Sequence, residues 1–121
     1  MTFLGVLVAG ALGAPARYLV ARAARRVGSA IPWGTFVVNV SGSFALGVVT
    51  GVALTHGISP ATRAVIGTGF LGAYTTFSTY VYEVVRQAEQ RRASNATIYL
   101  LASVVIGTGA AAAGLALTGG L

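Results

Sequence analysis

Four apolar runs, at about residues 3–21, 34–55, 61–82 and 97–118, take up most of the 121-residue chain. Each has the ~20 residues that a helix, rising ~1.5 Å per residue, needs to cross a ~30 Å hydrocarbon layer. The sequence therefore predicts an all-α membrane protein with four transmembrane helices, arranged as a single four-span domain over residues 1–121. The breaks between runs carry the expected punctuation: RAARRVGSAIPW with three arginines and Pro32, HGISP with His56 and Pro60, and the strongly polar EVVRQAEQRRASN. Ser59-Pro60 opens the third run with proline in its first turn, where a missing amide hydrogen matters little. The links are too short to hold a second domain, and solenoid periods are absent.

Composition enters as a check on this class. Only 8% of the residues are charged, whereas a soluble domain carries about 25%, and the mean hydropathy is +0.81. The net charge of +6 comes from eight arginines and two glutamates. Most of those arginines lie between the apolar runs, which fits lipid headgroups and topology rather than a groove for nucleic acid. Without cysteine the chain has no disulfide, zinc knuckle or thiol nucleophile. The N-terminal apolar run followed by Ala14-Pro15-Ala16 resembles a cleaved signal peptide. However, no positive residue precedes it and Arg17 follows it, so it reads as the first span.

Four spans place the first and third connections on one side of the membrane. That side holds Arg22, Arg25, Arg26, Arg86, Arg91 and Arg92, and the other holds Arg63. The positive-inside rule then puts both termini outside the cytoplasm. Small residues spaced by four, Gly10/Ala14, Ser43/Gly47/Gly51 and Ala110/Gly114, form ridges that let helix backbones approach closely in lipid. They predict a tight bundle that also packs on another subunit.

The sequence does not supply a catalytic set. The carboxylates are Glu83 and Glu89 and the one histidine is His56, so no paired acids, nucleophile–base couple or metal cluster can form. The chain is not expected to be an enzyme. Glu83/Arg86 and Glu89/Arg92, at helical i,i+3 spacing, read as solvated ion pairs, and His56 as an interfacial loop residue. GTGFLG lacks a preceding strand and is not read as a nucleotide loop.

Polar groups inside the spans carry more information. Asn39 and Ser43 lie four apart on one face of the second run, where an amide either bonds a neighbouring helix or serves function. Arg17, near the end of the first run, must snorkel or find partners. The third run contains GFLGAYTTFSTY, and Gly67 just before it, together with Gly69 and Gly72 inside it, weaken the helix by ~1 kcal/mol per glycine. Thr75, Thr76, Ser78 and Thr79 can bond backbone carbonyls or face a polar cavity. Non-helical backbone in a membrane is tolerated only within protein or beside water, so a helix broken near mid-membrane suggests an ion site. Half-helix carbonyls attract cations there, and half-helix amides attract anions. Phe77 and Tyr80 share one face beyond the break, and the positive rim of an aromatic ring can receive a small anion.

GALGAPARY, PWGTFVVNVSGSFALG and GFLGAYTTFSTY, in this order, resemble the fluoride channels of the Fluc (CrcB) type over nearly the whole chain. The resemblance implies an antiparallel, dual-topology-type dimer with two fluoride pathways along its interface. Fluoride would leave the cytoplasm passively, protecting the cell from fluoride toxicity at the plasma membrane. It implies a structural, untransported sodium ion held by the backbone carbonyls of Gly72 and Thr75. It also implies a fluoride pathway along Asn39, Phe77, Tyr80, Thr79 and Ser103, with Arg17 at the vestibule. Two departures stand out. Tyr80 replaces the usual phenylalanine, and the arginine bias resembles members that pair with an oppositely oriented paralogue, with a copy of the chain itself as the other option. A small multidrug-type exporter is disfavoured because the first, second and fourth runs contain no carboxylate. A non-transporting scaffold gives no reason for the broken run, Asn39 and the aromatic pair to occur together.

Overall fold

The computed structural model describes residues 1–25 and 31–121. Among them every regular element is helical. Helix α1 is Thr2–Arg25 and α2 is Trp33–Thr55. A third helix, α3, spans residues 60–74 in three contiguous pieces, Pro60–Arg63, Ala64–Leu71 and Gly72–Tyr74. It is followed by α4, Ser78–Glu89, and α5, Ala93–Leu117. Helices α1, α2 and α5 are each long and apolar enough to cross a membrane. The third apolar run is shared between α3 and α4, with residues 75–77 outside either helix.

The start of α3 follows from its first residues. Ser59 Oγ accepts from the Thr62 amide at 3.1 Å, and Pro60 occupies the first turn. The Ala64–Leu71 piece is π-helical, and the Gly72 amide donates back to the Gly67 and Gly69 carbonyls. The glycines therefore widen the helix without ending it, a local widening common at functional sites. They also let α3 sit on α1. A Cβ on Gly69 would lie 2.9 Å from that of Ala9, and one on Gly13 would meet the Phe70 carbonyl. Helix α1 runs unbroken through Pro15.

The second seam joins α2 to α5. A side chain on Gly47 would strike the Ala111 carbonyl, and one on Gly114 the Phe44 carbonyl. Thus the Ser43/Gly47/Gly51 ridge is used within the chain, against the ridge containing Gly114. Val38, Leu71 and Tyr74 form the buried core where α2 meets α3, with Ala16, Val20 and Phe70 packed around them. Phe3, Leu7, Leu12 and Leu19 of α1 stay exposed, as a lipid-facing surface requires.

The two arginine-rich connections meet at one end of the bundle. Arg25, Trp33, Arg86 and Arg92 line a single cleft of about 420 Å³. Arg26 lies outside the described residues. At the opposite end Thr55 Oγ1 donates to the Thr118 carbonyl at 3.0 Å and sits 2.8 Å from His56 Nδ1. The expected ion pairs are corrected by the geometry: neither Glu83/Arg86 nor Glu89/Arg92 forms one among the described residues. The Glu83 carboxylate instead accepts from the buried Tyr99 hydroxyl at 3.1 Å. Between α4 and α5 the chain reverses through Arg91, at φ 60°, and the Arg92 amide bonds the Gln87 carbonyl at 2.9 Å.

Candidate functional site at the interrupted third segment

Helix α3 ends because Thr75 turns to an extended conformation, φ −85° and ψ 162°. Its amide still closes the last turn on the Leu71 carbonyl at 3.0 Å, and its hydroxyl donates to the same oxygen at 3.0 Å. Beyond Leu71 the carbonyls of the last turn have no intrahelical donor. The side chain of Asn39 on α2 bridges the gap. Asn39 Nδ2 donates to the Thr76 carbonyl at 2.8 Å, and the Thr76 amide donates to Asn39 Oδ1 at 2.9 Å. One amide side chain thus replaces both backbone bonds that Thr76 loses when the helix stops.

Helix α4 is restarted by the Thr76 hydroxyl, which accepts from the Thr79 amide at 3.3 Å and donates to Thr79 Oγ1 at 3.1 Å. Helix α2 approaches the interruption closely because residue 42 is glycine. A Cβ there would collide with the Thr75 methyl and lie 3.3 Å from the Tyr74 ring. The Tyr74 hydroxyl lies 2.9 Å from Ser41 Oγ and ties the end of α3 to α2. From α1, Arg17 Nη1 reaches the Thr75 carbonyl at 3.5 Å.

An uncharged groove of about 450 Å³ opens beside the interruption, and Asn39, Gly72, Thr75, Phe77, Tyr80 and Ser103 all contribute to its wall. Ser43 joins Asn39 there, as their spacing on α2 predicts. Phe77 is 77% exposed at the rim, whereas Tyr80 is 7% exposed. Their ring centroids are 6.0 Å apart and the planes are inclined by 54°. The Tyr80 hydroxyl is not aimed into the groove. It donates to the Leu100 carbonyl of α5 at 2.7 Å, and the ring meets Tyr99 edge-on at 5.3 Å. Ser103 Oγ is shut off from solvent close to that hydroxyl.

The structure therefore gathers Asn39, Gly72, Thr75, Phe77, Tyr80 and Ser103 around one space. Thr79 and Arg17 do not line it. Thr79 belongs to the start of α4, and Arg17 reaches the interruption from the α1 side. Gly42, Ser41 and Tyr74 shape the site without any marker in the sequence: a lone glycine in an apolar run resembles any packing glycine, and a buried tyrosine any core ring. Chemically, the site offers helix-end carbonyls for a hard cation, together with hydroxyls and ring edges that suit a small anion.

Residues 4–115 match the model of the family described as CrcB-like protein, Camphor Resistance (CrcB). The chain is 47% identical, over 98% of its own length and 88% of the relative's, to fluoride-specific ion channel FluC 1 of Leifsonia xyli subsp. xyli. It is 45% identical to fluoride-specific ion channel FluC of Acidobacterium capsulatum, over 88% of this chain and 87% of that one. A third relative, fluoride-specific ion channel FluC 2 of Clostridium acetobutylicum, is 39% identical over 88% of this chain and 89% of its own length.

Proposed function

Since the chain belongs to the CrcB-like family, whose members matched here are named as fluoride-specific channels, we propose that it is a fluoride-selective passive channel. It is a multi-pass membrane channel and not an enzyme. The observation that supports this reading most strongly is the interruption at residues 75–77, held by Asn39 beside a groove with no formal charge. Such a groove favours an anion small enough to be solvated by a few hydroxyls and ring edges. Fluoride gives up its water only where such groups replace it.

In this reading the break lies near mid-membrane. The groove is closed by a second subunit of opposite orientation, either a paralogue or a copy of the chain. Exposed Phe77 is the surface that such a partner would cover. Fluoride would pass along Asn39, Phe77, Tyr80 and Ser103 and leave the cytoplasm down its gradient. Thr79 acts by fixing the start of α4. The residues fit a structural sodium ion: the Gly72 and Thr75 carbonyls belong to a helix end with no intrahelical donors, and unwound backbone oxygens are the ligands such ions take. One chain supplies only part of a coordination shell, which agrees with a site shared across a two-fold axis. Arg17 at the Thr75 carbonyl marks the approach from the α1 side. The arginine end faces the cytoplasm of the cell that carries the channel in its plasma membrane.

The test is ion efflux from liposomes containing this chain alone. Rapid fluoride release with little chloride release is expected. Equal rates for the two anions would reject selectivity. Absence of release, restored by a second paralogous chain, would assign the channel to a heterodimer.

A further inference from the structure

The cleft at the arginine end is separate from the groove beside residues 75–77 and, unlike that groove, has charged residues in its wall. We propose that it is a binding site for the phosphate of an anionic phospholipid headgroup. Arg25 comes from the end of α1, Arg86 from α4, and Arg92 from the turn before α5, so three separate elements each contribute an arginine to the wall of one cavity of about 420 Å³. No ion pair neutralises them among the described residues. The single carboxylate in the wall, Glu83, accepts from the Tyr99 hydroxyl. Among the described residues the wall is therefore positive by two charges, three arginines against one glutamate.

Guanidinium forks match phosphate oxygens in pairs, which a monatomic anion cannot exploit. Trp33, Pro32 and Ile31 belong to the apolar part of the wall, and an indole at a span end sits at headgroup level. Basic pockets between transmembrane helices at this depth take acidic headgroups. A lipid is favoured over free phosphate because the cleft lies at the end of three apolar helices, where headgroup phosphate is concentrated.

Native mass spectrometry of the full-length protein in detergent, with phosphatidylglycerol or phosphatidylcholine added, tests this assignment independently of transport. Retention of phosphatidylglycerol over phosphatidylcholine is expected, falling about fivefold for each of Arg25→Gln and Arg86→Gln. Arg22→Gln, at the same end but outside the cleft, should leave retention unchanged. An equal loss in Arg22→Gln would reduce the effect to diffuse charge and overturn the site. Equal retention of the two lipids, or displacement of phosphatidylglycerol by millimolar inorganic phosphate, would overturn the lipid assignment. Helicity of each variant by circular dichroism separates loss of binding from loss of fold.

Discussion

Asn39 does the work of two missing backbone partners, and its removal should show this in both stability and flux. Asn39→Ala leaves the Thr76 amide and carbonyl without these partners, at a cost of about 2–6 kcal/mol for two orphaned groups. The expected result is a lower melting temperature in detergent together with loss of fluoride efflux. Normal stability with altered efflux alone would make the amide a conductive group and not a clasp. Tyr80 behaves differently. Its hydroxyl is tied to the Leu100 carbonyl, so Tyr80→Phe should lose about 1 kcal/mol of stability while the ring keeps its place and fluoride efflux persists. Abolished efflux in a folded Tyr80→Phe protein would show that the hydroxyl itself takes part in conduction.

At the scale of elements, the interruption depends on how closely α2 can approach it. Gly42→Ala places a methyl where Thr75 already stands. Overpacking of this kind costs about 1–3 kcal/mol, and the variant should melt earlier. Restoration by the double change Gly42→Ala, Thr75→Ser would confirm that the two groups compete for one space. In the turn between α4 and α5, Arg91 adopts a left-handed conformation that suits glycine. Arg91→Gly should therefore stabilise the protein by about 1 kcal/mol, read as a higher melting temperature. These details were unevenly legible in the sequence. The four apolar runs and the proline start of α3 follow from length, hydropathy and one capping residue. The glycines of GTGFLG drew attention to the right segment, yet the helix continues two residues beyond Gly72 and stops after Tyr74. Helix loss there is decided by the Asn39–Thr76 bonds, between residues 37 apart. No local pattern can announce such a pairing. The same limit hid Gly42, whose role exists only once α3 lies against α2. The i,i+3 pairing of Glu83 was a local inference that could not include Tyr99, which reaches Glu83 from another helix.

For the whole molecule, the informative asymmetry is electrical. Arg25, Arg86 and Arg92 share one end of the bundle, and Arg63 lies in α3 near the other. Cysteines introduced at residues 2 and 120 and probed with a membrane-impermeant thiol reagent should both label from outside intact cells. Equal labelling from both sides would mean that the chain inserts in either orientation despite its charge bias. The order of helix pairing has a further consequence. Gly47 of α2 meets Ala111 of α5, and Gly114 of α5 meets Phe44 of α2, so α5 completes the seam of a helix made well before it. During translation the glycine ridge of α2 stays uncovered by α5 until residues 111–118 have been made. A chain truncated before Ala93 would therefore lack the partner that α2 packs against and should pack less tightly in the membrane.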